Sequence, residues 1–295
     1  MENSLISCDV SICPCGPLVS ILIPVYNVEA YIERCARSAF EQSYQNLEFI
    51  FVDDATPDAS IQVLQRVIVD YPDRCDSIKI LHHDRNRGLA AARNTAIAAC
   101  HGDFVMHVDS DDWLEPEAAE LLICRQQATR ADIVYTRGNY LENGATLKID
   151  CRGWSTDREH LLLNILQDKA TMCIWSKLIR RSLYTDHHIR CDEQGSYYED
   201  YQALCQLLYY AKTIARLDAY IYHYDRANPN SIVTQALNNL DIQQQGLRSI
   251  QAVYEFFQDK APRYLDYVNV FLASFRQRYP GIPILSHDYL PDRKA

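Results

Sequence analysis

Residues 18–54 read LVSILIPVYNVEAYIERCARSAFEQSYQNLEFIFVDD, and the order of periodicities along them decides the fold. LVSILIPVY is a nearly unbroken apolar run of strand length, as a strand buried on both faces requires. Ile32, Ala36, Ala39 and Phe40 then recur at helical spacing, and LEFIFVDD returns to strand and ends on two carboxylates. Outward from this unit the alternation continues. The spacing predicts a helix from Ala59 to Val69, strand IKILH, a helix from Leu89 to Ala99, strand DFVMHV and a helix from Glu115 to Gln127. Such alternation needs crossover connections, hence an α/β fold with a mostly parallel central sheet flanked by helices.

Beyond residue 150 the pattern loosens. Short helices are expected around 157–168, 173–184 and 198–210, a strand at DAYIYHY (218–224), and an aromatic-rich helical tail from about residue 236. The expected organisation is an N-terminal tail (1–17), one domain over 18–235 with halves 18–135 and 136–235, and a helical C-terminal extension (236–295). Phe256, Phe257, Tyr264, Tyr267, Phe271 and Phe275 in that tail are expected to pack on the core; a membrane-surface or dimer contact is the alternative.

The chain has 295 residues, 48% of them apolar and 23% charged, which suits a globular protein with a sizeable core. Its net charge of −10 argues against nonspecific nucleic-acid binding. Eleven cysteines are scattered without a paired CxxC motif, so reduced core thiols in a cytoplasmic protein are expected. Leu5-Ile6-Ser7-Cys8 resembles a lipoprotein cleavage box, but no Lys or Arg precedes Arg34 and no long apolar segment leads into it. No apolar stretch is long enough to span a bilayer; a peripheral contact at the inner face of the membrane stays open. Nothing in the sequence fixes the oligomeric state.

Parallel sheets place ligands at the carboxyl ends of their strands, and polar residues gather there: Tyr26-Asn27, Asp53-Asp54, and Asp109-Ser110-Asp111-Asp112. Three carboxylates in four positions raise one another's pKa unless a cation neutralises them. Strand alternation would put Asp109 and Asp111 on one side, as hard oxygen ligands for Mg²⁺ or Mn²⁺. Alternatively, Asp111 or Asp112 caps the next helix. RNRGLAAARN (85–94) offers a turn at Gly88, a helix N-terminus and the Arg93 fork for phosphate oxygens, or else a solvated basic turn. In FVDDATPD (51–58) an acid can accept from a ribose hydroxyl or a base N–H, or cap a helix. Glu199 and Asp200, taken by themselves, read as first-turn acids of a helix beginning near Tyr198.

Taken in order, VSILIPVYNVEAYIERC, FIFVDDATPD, NRGLAAARNTAI and GDFVMHVDSDDWLEP resemble the inverting family 2 glycosyltransferases of the GT-A fold, the bacterial polysaccharide type. The resemblance runs from about residue 18 to 135 and resumes at WSKLIRRSL (175–183), YYEDYQAL (197–204) and YHYDRANPNSI (222–232). It implies a nucleotide-sugar donor, with UDP favoured, and a glycan or lipid-linked acceptor. Pro24, Val25 and Tyr26 would line the base and Asp53 accept from it; Asp54 and Arg93 would lie near the ribose and diphosphate. Asp109 and Asp111 match the DxD metal positions, with Ser110 between them at the donor. Asp200 of the Glu199-Asp200 pair becomes the candidate base, and Trp175 and Lys177 would shape the acceptor side. Tyr222, His223 and Tyr224 resemble a motif that returns near the donor site. The chain departs from the family where Ala55-Thr56 replaces a common Gly-Ser and where Ala90-Ala91-Ala92 precedes Arg93.

Competing enzyme classes fit less well. A sugar nucleotidyltransferase needs a Gly-rich basic loop after its first strand, and a nicotinamide dehydrogenase needs GxGxxG there, whereas this chain has Pro24-Val25-Tyr26-Asn27. A dehalogenase-type phosphatase carries its DxD after the first strand. A non-catalytic sugar-binding module remains the alternative of a different class.

Overall fold

The computed structural model describes residues 16–142, 145–149, 152–229 and 231–282; Cys8, Cys13 and Cys15 lie outside them. The first half is β1 (Val19–Val25), α1 (Ile32–Phe40), β2 (Leu47–Asp53), α2 (Ser60–Val69), β3 (Ile78–His82), α3 (Leu89–Ala99) and β4 (Phe104–His107). β1, β2 and β3 pair in parallel, and β4 pairs in parallel on the other side of β1. The direction of strand addition therefore reverses between β1 and β4. A crevice opens at the carboxyl ends of strands that flank such a reversal.

The helix expected from Glu115 to Gln127 is α4 (Ala118–Thr129), and a short strand β5 (Trp113–Leu114) precedes it. Glu117 is the residue before α4, so neither Asp111 nor Asp112 caps it. The second half holds β6 (Ile133–Glu142), β7 (Ala145–Ile149), α5 (Arg158–Leu166), β8 (Lys177–Arg180), α6 (Arg181–Asp186), α7 (Glu199–Tyr210) and β9 (Ile214–Asp225). The sheet runs β3-β2-β1-β4-β8-β6-β9-β5, with β7 on β6. It is parallel over its first half and mixed beyond, since β8 is antiparallel to both neighbours and β6 is parallel to β9.

The helix expected over 173–184 is instead β8 followed by the short α6. Leu178 and Ile179 are both fully buried, on opposite faces of the sheet, and only a strand between two others gives successive residues that environment.

The sheet is covered on both sides. Ile21, Ile23, Phe49 and Phe51 pack toward α1, α2 and α4, while Leu22, Ile50 and Val52 face α3, α5 and α7. The tail forms α8 (Ile232–Ala236), α9 (Leu240–Lys260) and α10 (Leu265–Arg278) and joins the second face. Phe257, Tyr264, Phe271 and Phe275 are almost wholly buried there, and Phe256 and Tyr267 pack against the same core. The aromatic tail is thus core. Cys35, Cys100, Cys191 and Cys205 are buried, unbridged thiols. Among the described residues no helix is long and apolar enough to cross a membrane.

Candidate active site

The crevice at the β1/β4 reversal is a deep cleft walled by Pro24, Val25 and Tyr26 from the end of β1 and by Asp109, Ser110 and Asp111 after β4. Tyr26 is 44% exposed, unusual for a large ring and suited to a face that a flat ligand covers. Asp109 and Asp111 do reach the cleft together, but not through strand alternation: the Asp112 N–H donates to the Asp109 carbonyl at 3.0 Å, closing a turn. Asp112 locks that turn from behind. Its oxygens accept from the Tyr222 hydroxyl at 2.6 Å and the Asp225 N–H at 2.8 Å, and the same hydroxyl accepts from the Asp109 N–H at 3.1 Å. Burial beside Asp111 and Asp109 pushes the Asp112 carboxyl well above its ordinary range. His223 pairs with Glu115 at 2.7 Å and stacks on Trp113, so it is a packed histidine.

Asp111 accepts from Asn228 at 2.8 Å, and its carbonyl accepts from Arg34 at 2.8 Å. Arg34 also pairs with Asp225 at 2.6 Å and lies 3.9 Å over the Trp113 ring. Asn228 and Arg34 were not singled out by sequence reasoning. Asn228 sits in the quoted stretch YHYDRANPNSI, but its partner is more than a hundred residues away.

The RNRG turn is built by Asp54. One carboxylate oxygen accepts from the Arg87 N–H at 2.8 Å and lies 2.6 Å from His83 Nδ1; the other accepts from the Gly88 N–H at 2.7 Å. Gly88 has φ +89°, and a Cβ there would run into Ser196. Asp54 lines the cleft, yet its oxygens are spent on this turn. Asp53, expected at the base, does not line the cleft: it accepts from the Thr56 N–H at 2.8 Å and contacts His82 at 2.9 Å, fixing the loop after β2.

Arg93 is 5% exposed. Its Nη2 lies 3.1 Å from Asp109, 3.3 Å from Glu199 and 3.2 Å from Asp200. The guanidinium expected at the diphosphate therefore joins the acidic turn to the acid pair of α7. Burial raises Glu199 to about 8, helped by Asp200 and opposed by Arg93; burial also raises Asp109, to about 6, against the pull of Arg93. Asp200 is fixed from outside its own helix, accepting from the Ile174 N–H at 2.9 Å. Just before the pair, Tyr198 holds φ +63°, with its ring against Phe271 and Phe275 and its hydroxyl accepting from Arg278.

Trp175, expected on the acceptor side, lines the cleft, stacked 4.6 Å from Tyr222. Lys177 does not reach the cleft. It is 1% exposed, donates to the Cys173 carbonyl at 2.5 Å and the Trp175 carbonyl at 3.2 Å, and sits 4.3 Å over Trp154. Its ammonium finds carbonyls and a ring in place of a carboxylate, so it props up the turn that presents Trp175.

Among the described residues no three His, Cys, Asp or Glu side chains converge on one metal-sized point. Mg²⁺ ordinarily takes one or two carboxylates and completes its shell with phosphate oxygens and water. Asp111 fits that role: it lines the cleft, burial raises its pKa, and among the described residues Asn228 is its side-chain donor. Asp109 is second, because Arg93 already holds one of its oxygens.

A two-faced α/β sheet with acids and a carboxylate-bound arginine at its reversal point has the architecture of the GT-A nucleotide-sugar transferases. Residues 20–187, more than half of the chain, match the family described as "Glycosyl transferase family 2", and the chain belongs to it. It is 31% identical over 223 residues to the putative glycosyltransferase EpsH of Bacillus subtilis, covering 74% of this chain and 63% of that protein. Among solved structures it resembles S. aureus TarS 1–349 in complex with UDP-GlcNAc, at TM-score 0.64 and 20% identity over 88% of this chain and 81% of that one. It also resembles the mannosyltransferase PcManGT of Pyrobaculum calidifontis in complex with GDP-Man and Mn²⁺, at TM-score 0.55 and 18% identity over 90% and 77% of the two chains.

Proposed function

We propose that this chain is a metal-dependent inverting glycosyltransferase that moves a sugar from a nucleoside diphosphate, with UDP favoured, to a hydroxyl of a glycan or lipid-linked acceptor in polysaccharide synthesis. The observation that carries the reading is the Arg93 junction, where one guanidinium contacts Asp109 on the donor side and Asp200 on the acceptor side of a single cleft. TarS with UDP-GlcNAc and PcManGT with GDP-Man and Mn²⁺ support the donor class and the metal by likeness of fold.

Pro24, Val25 and Tyr26 hold the nucleobase, and Asp54 sets the RNRG turn against the ribose and diphosphate. Asp111, with Asp109 behind it, holds Mn²⁺ or Mg²⁺; when bound, the ion offsets charge on the departing diphosphate. Asp200 takes the proton of the acceptor hydroxyl as that oxygen attacks from the face opposite the leaving group. Glu199 and Arg93 keep the Asp200 carboxylate in place, and Trp175 walls the acceptor.

Calorimetry of UDP with Mn²⁺ and with EDTA tests the donor and metal together. Binding should need the metal and should fail in Asp111→Asn. Equal affinity in EDTA would remove the metal from the reading, and tighter GDP or dTDP binding would remove UDP.

A further inference from the structure

We propose that one buried water, held jointly by Arg93, His107 and Asp200, sets the orientation of the Asp200 carboxylate and makes His107 a positioning residue for the candidate base. The inference rests on the reading of Asp200 as base.

Nη2 of Arg93 serves the three acids, but its Nε and Nη1 are buried without a partner among the described residues. His107, the last residue of β4, is 3% exposed; its Nε2 lies 3.0 Å from the Tyr184 hydroxyl, and its Nδ1 is buried and unpartnered. Asp200 has one oxygen on the Ile174 N–H, while the other touches Arg93 but makes no hydrogen bond. Native structures seldom leave even one such group unsatisfied without a water or ion beside it.

All three residues line the same small cavity, whose remaining walls include Ile97, Ile174 and Ala203. Its volume is about 20 Å³, room for one water and nothing larger. Chemistry selects the occupant. A cation would face two guanidinium N–H groups. An anion would add to three carboxylates balanced by a single arginine. Water matches the set: it accepts from Arg93 Nε and Nη1 and donates to Asp200 and to His107 Nδ1, in the tautomer whose Nε2–H goes to Tyr184. With one oxygen on a backbone N–H and the other on a water that His107 anchors, the Asp200 carboxylate has a single orientation.

A high-resolution crystal structure of the full chain, paired with kinetics on His107→Leu and His107→Asn, tests this. The wild type should show one density peak in hydrogen-bonding reach of all three residues. His107→Leu should lose the peak and on the order of tenfold in kcat, part of what a positioned base contributes, with donor KM and UDP affinity unchanged. His107→Asn, whose amide oxygen can stand in for Nδ1, should restore both. An empty cavity in the wild type, or full turnover in His107→Leu, overturns the proposal; should the leucine variant not fold, the wild-type density and His107→Asn decide. Normal turnover in Asp200→Asn would instead sink the base assignment and leave the density peak standing.

Discussion

Arg93 of α3 and Asp200 of α7 meet at 3.2 Å in the wall of the cleft. The same guanidinium nitrogen contacts Asp109 and Glu199. One cation cannot balance three buried carboxylates, so the cluster holds a proton near neutral pH, and the rise of Glu199 to about 8 places it there.

This shift has a signed consequence for stability. A carboxyl whose folded pKa lies above its ordinary 4.5 favours the folded state fully below 4.5, and that contribution drains away as pH rises toward about 8. Glu199→Gln fixes the neutral form. Its melting temperature should match wild type near the acidic end of that window and exceed it increasingly toward the alkaline end. Parallel melting curves across the window would show that Glu199 is not the group holding the proton.

Arg93→Ala should destabilise the apo protein by about 3–5 kcal/mol, the usual effect of stripping one partner from a buried ionic cluster. The sequence alone points to a phosphate ligand, whose removal would spare the apo fold. Burial among three acids adds the structural role. Thermal denaturation without nucleotide separates the two: an unchanged melting temperature returns Arg93 to a role in donor binding alone.

Ala55 offers a gain. It sits at φ +55° between Asp53, which accepts from the Thr56 N–H, and Thr56, whose hydroxyl accepts from the Asn27 N–H. A Cβ in the left-handed region costs about 1–2 kcal/mol, partly offset by the greater freedom of glycine in the unfolded chain. Ala55→Gly should therefore raise stability by up to about 1 kcal/mol, read as a higher urea midpoint at constant slope. A lower midpoint would mean that the Ala55 methyl makes contacts worth more than the strain.

Local periodicity made the first half legible. The expected helix at 89–99 is observed at Leu89–Ala99, and the strand ends delivered Asp109 and Asp111 to the cleft. What escaped was set at long range. β8 and β6 are strands because β4 and β9 pair with them, and Leu178 and Leu183 in WSKLIRRSL could serve a helix as readily. The family resemblance implies ligand contacts for Asp53, Asp54 and Lys177. Their hydrogen bonds are structural, made to His82, to the Gly88 N–H and to the Cys173 carbonyl. Arg93 finds Glu199 and Asp200 more than a hundred residues along the chain, a pairing that periodicity cannot express.

Asp200→Asn bears most directly on whether the cleft does chemistry. The amide can keep its carbonyl oxygen on the Ile174 N–H, so the local hydrogen bond survives, while the proton acceptor is lost. UDP and metal affinity should stay near wild type, because the residues assigned to them follow β1 and β4. Turnover should fall by roughly 10²–10⁴-fold. Asp111→Asn should instead lose donor affinity and turnover together, as a metal ligand would. A purely structural Asp200 gives a different pair of results: a lower melting temperature and normal turnover per folded molecule. If that pair is measured, the acid pair on α7 is a brace for Arg93, and the base must be sought elsewhere on the cleft wall.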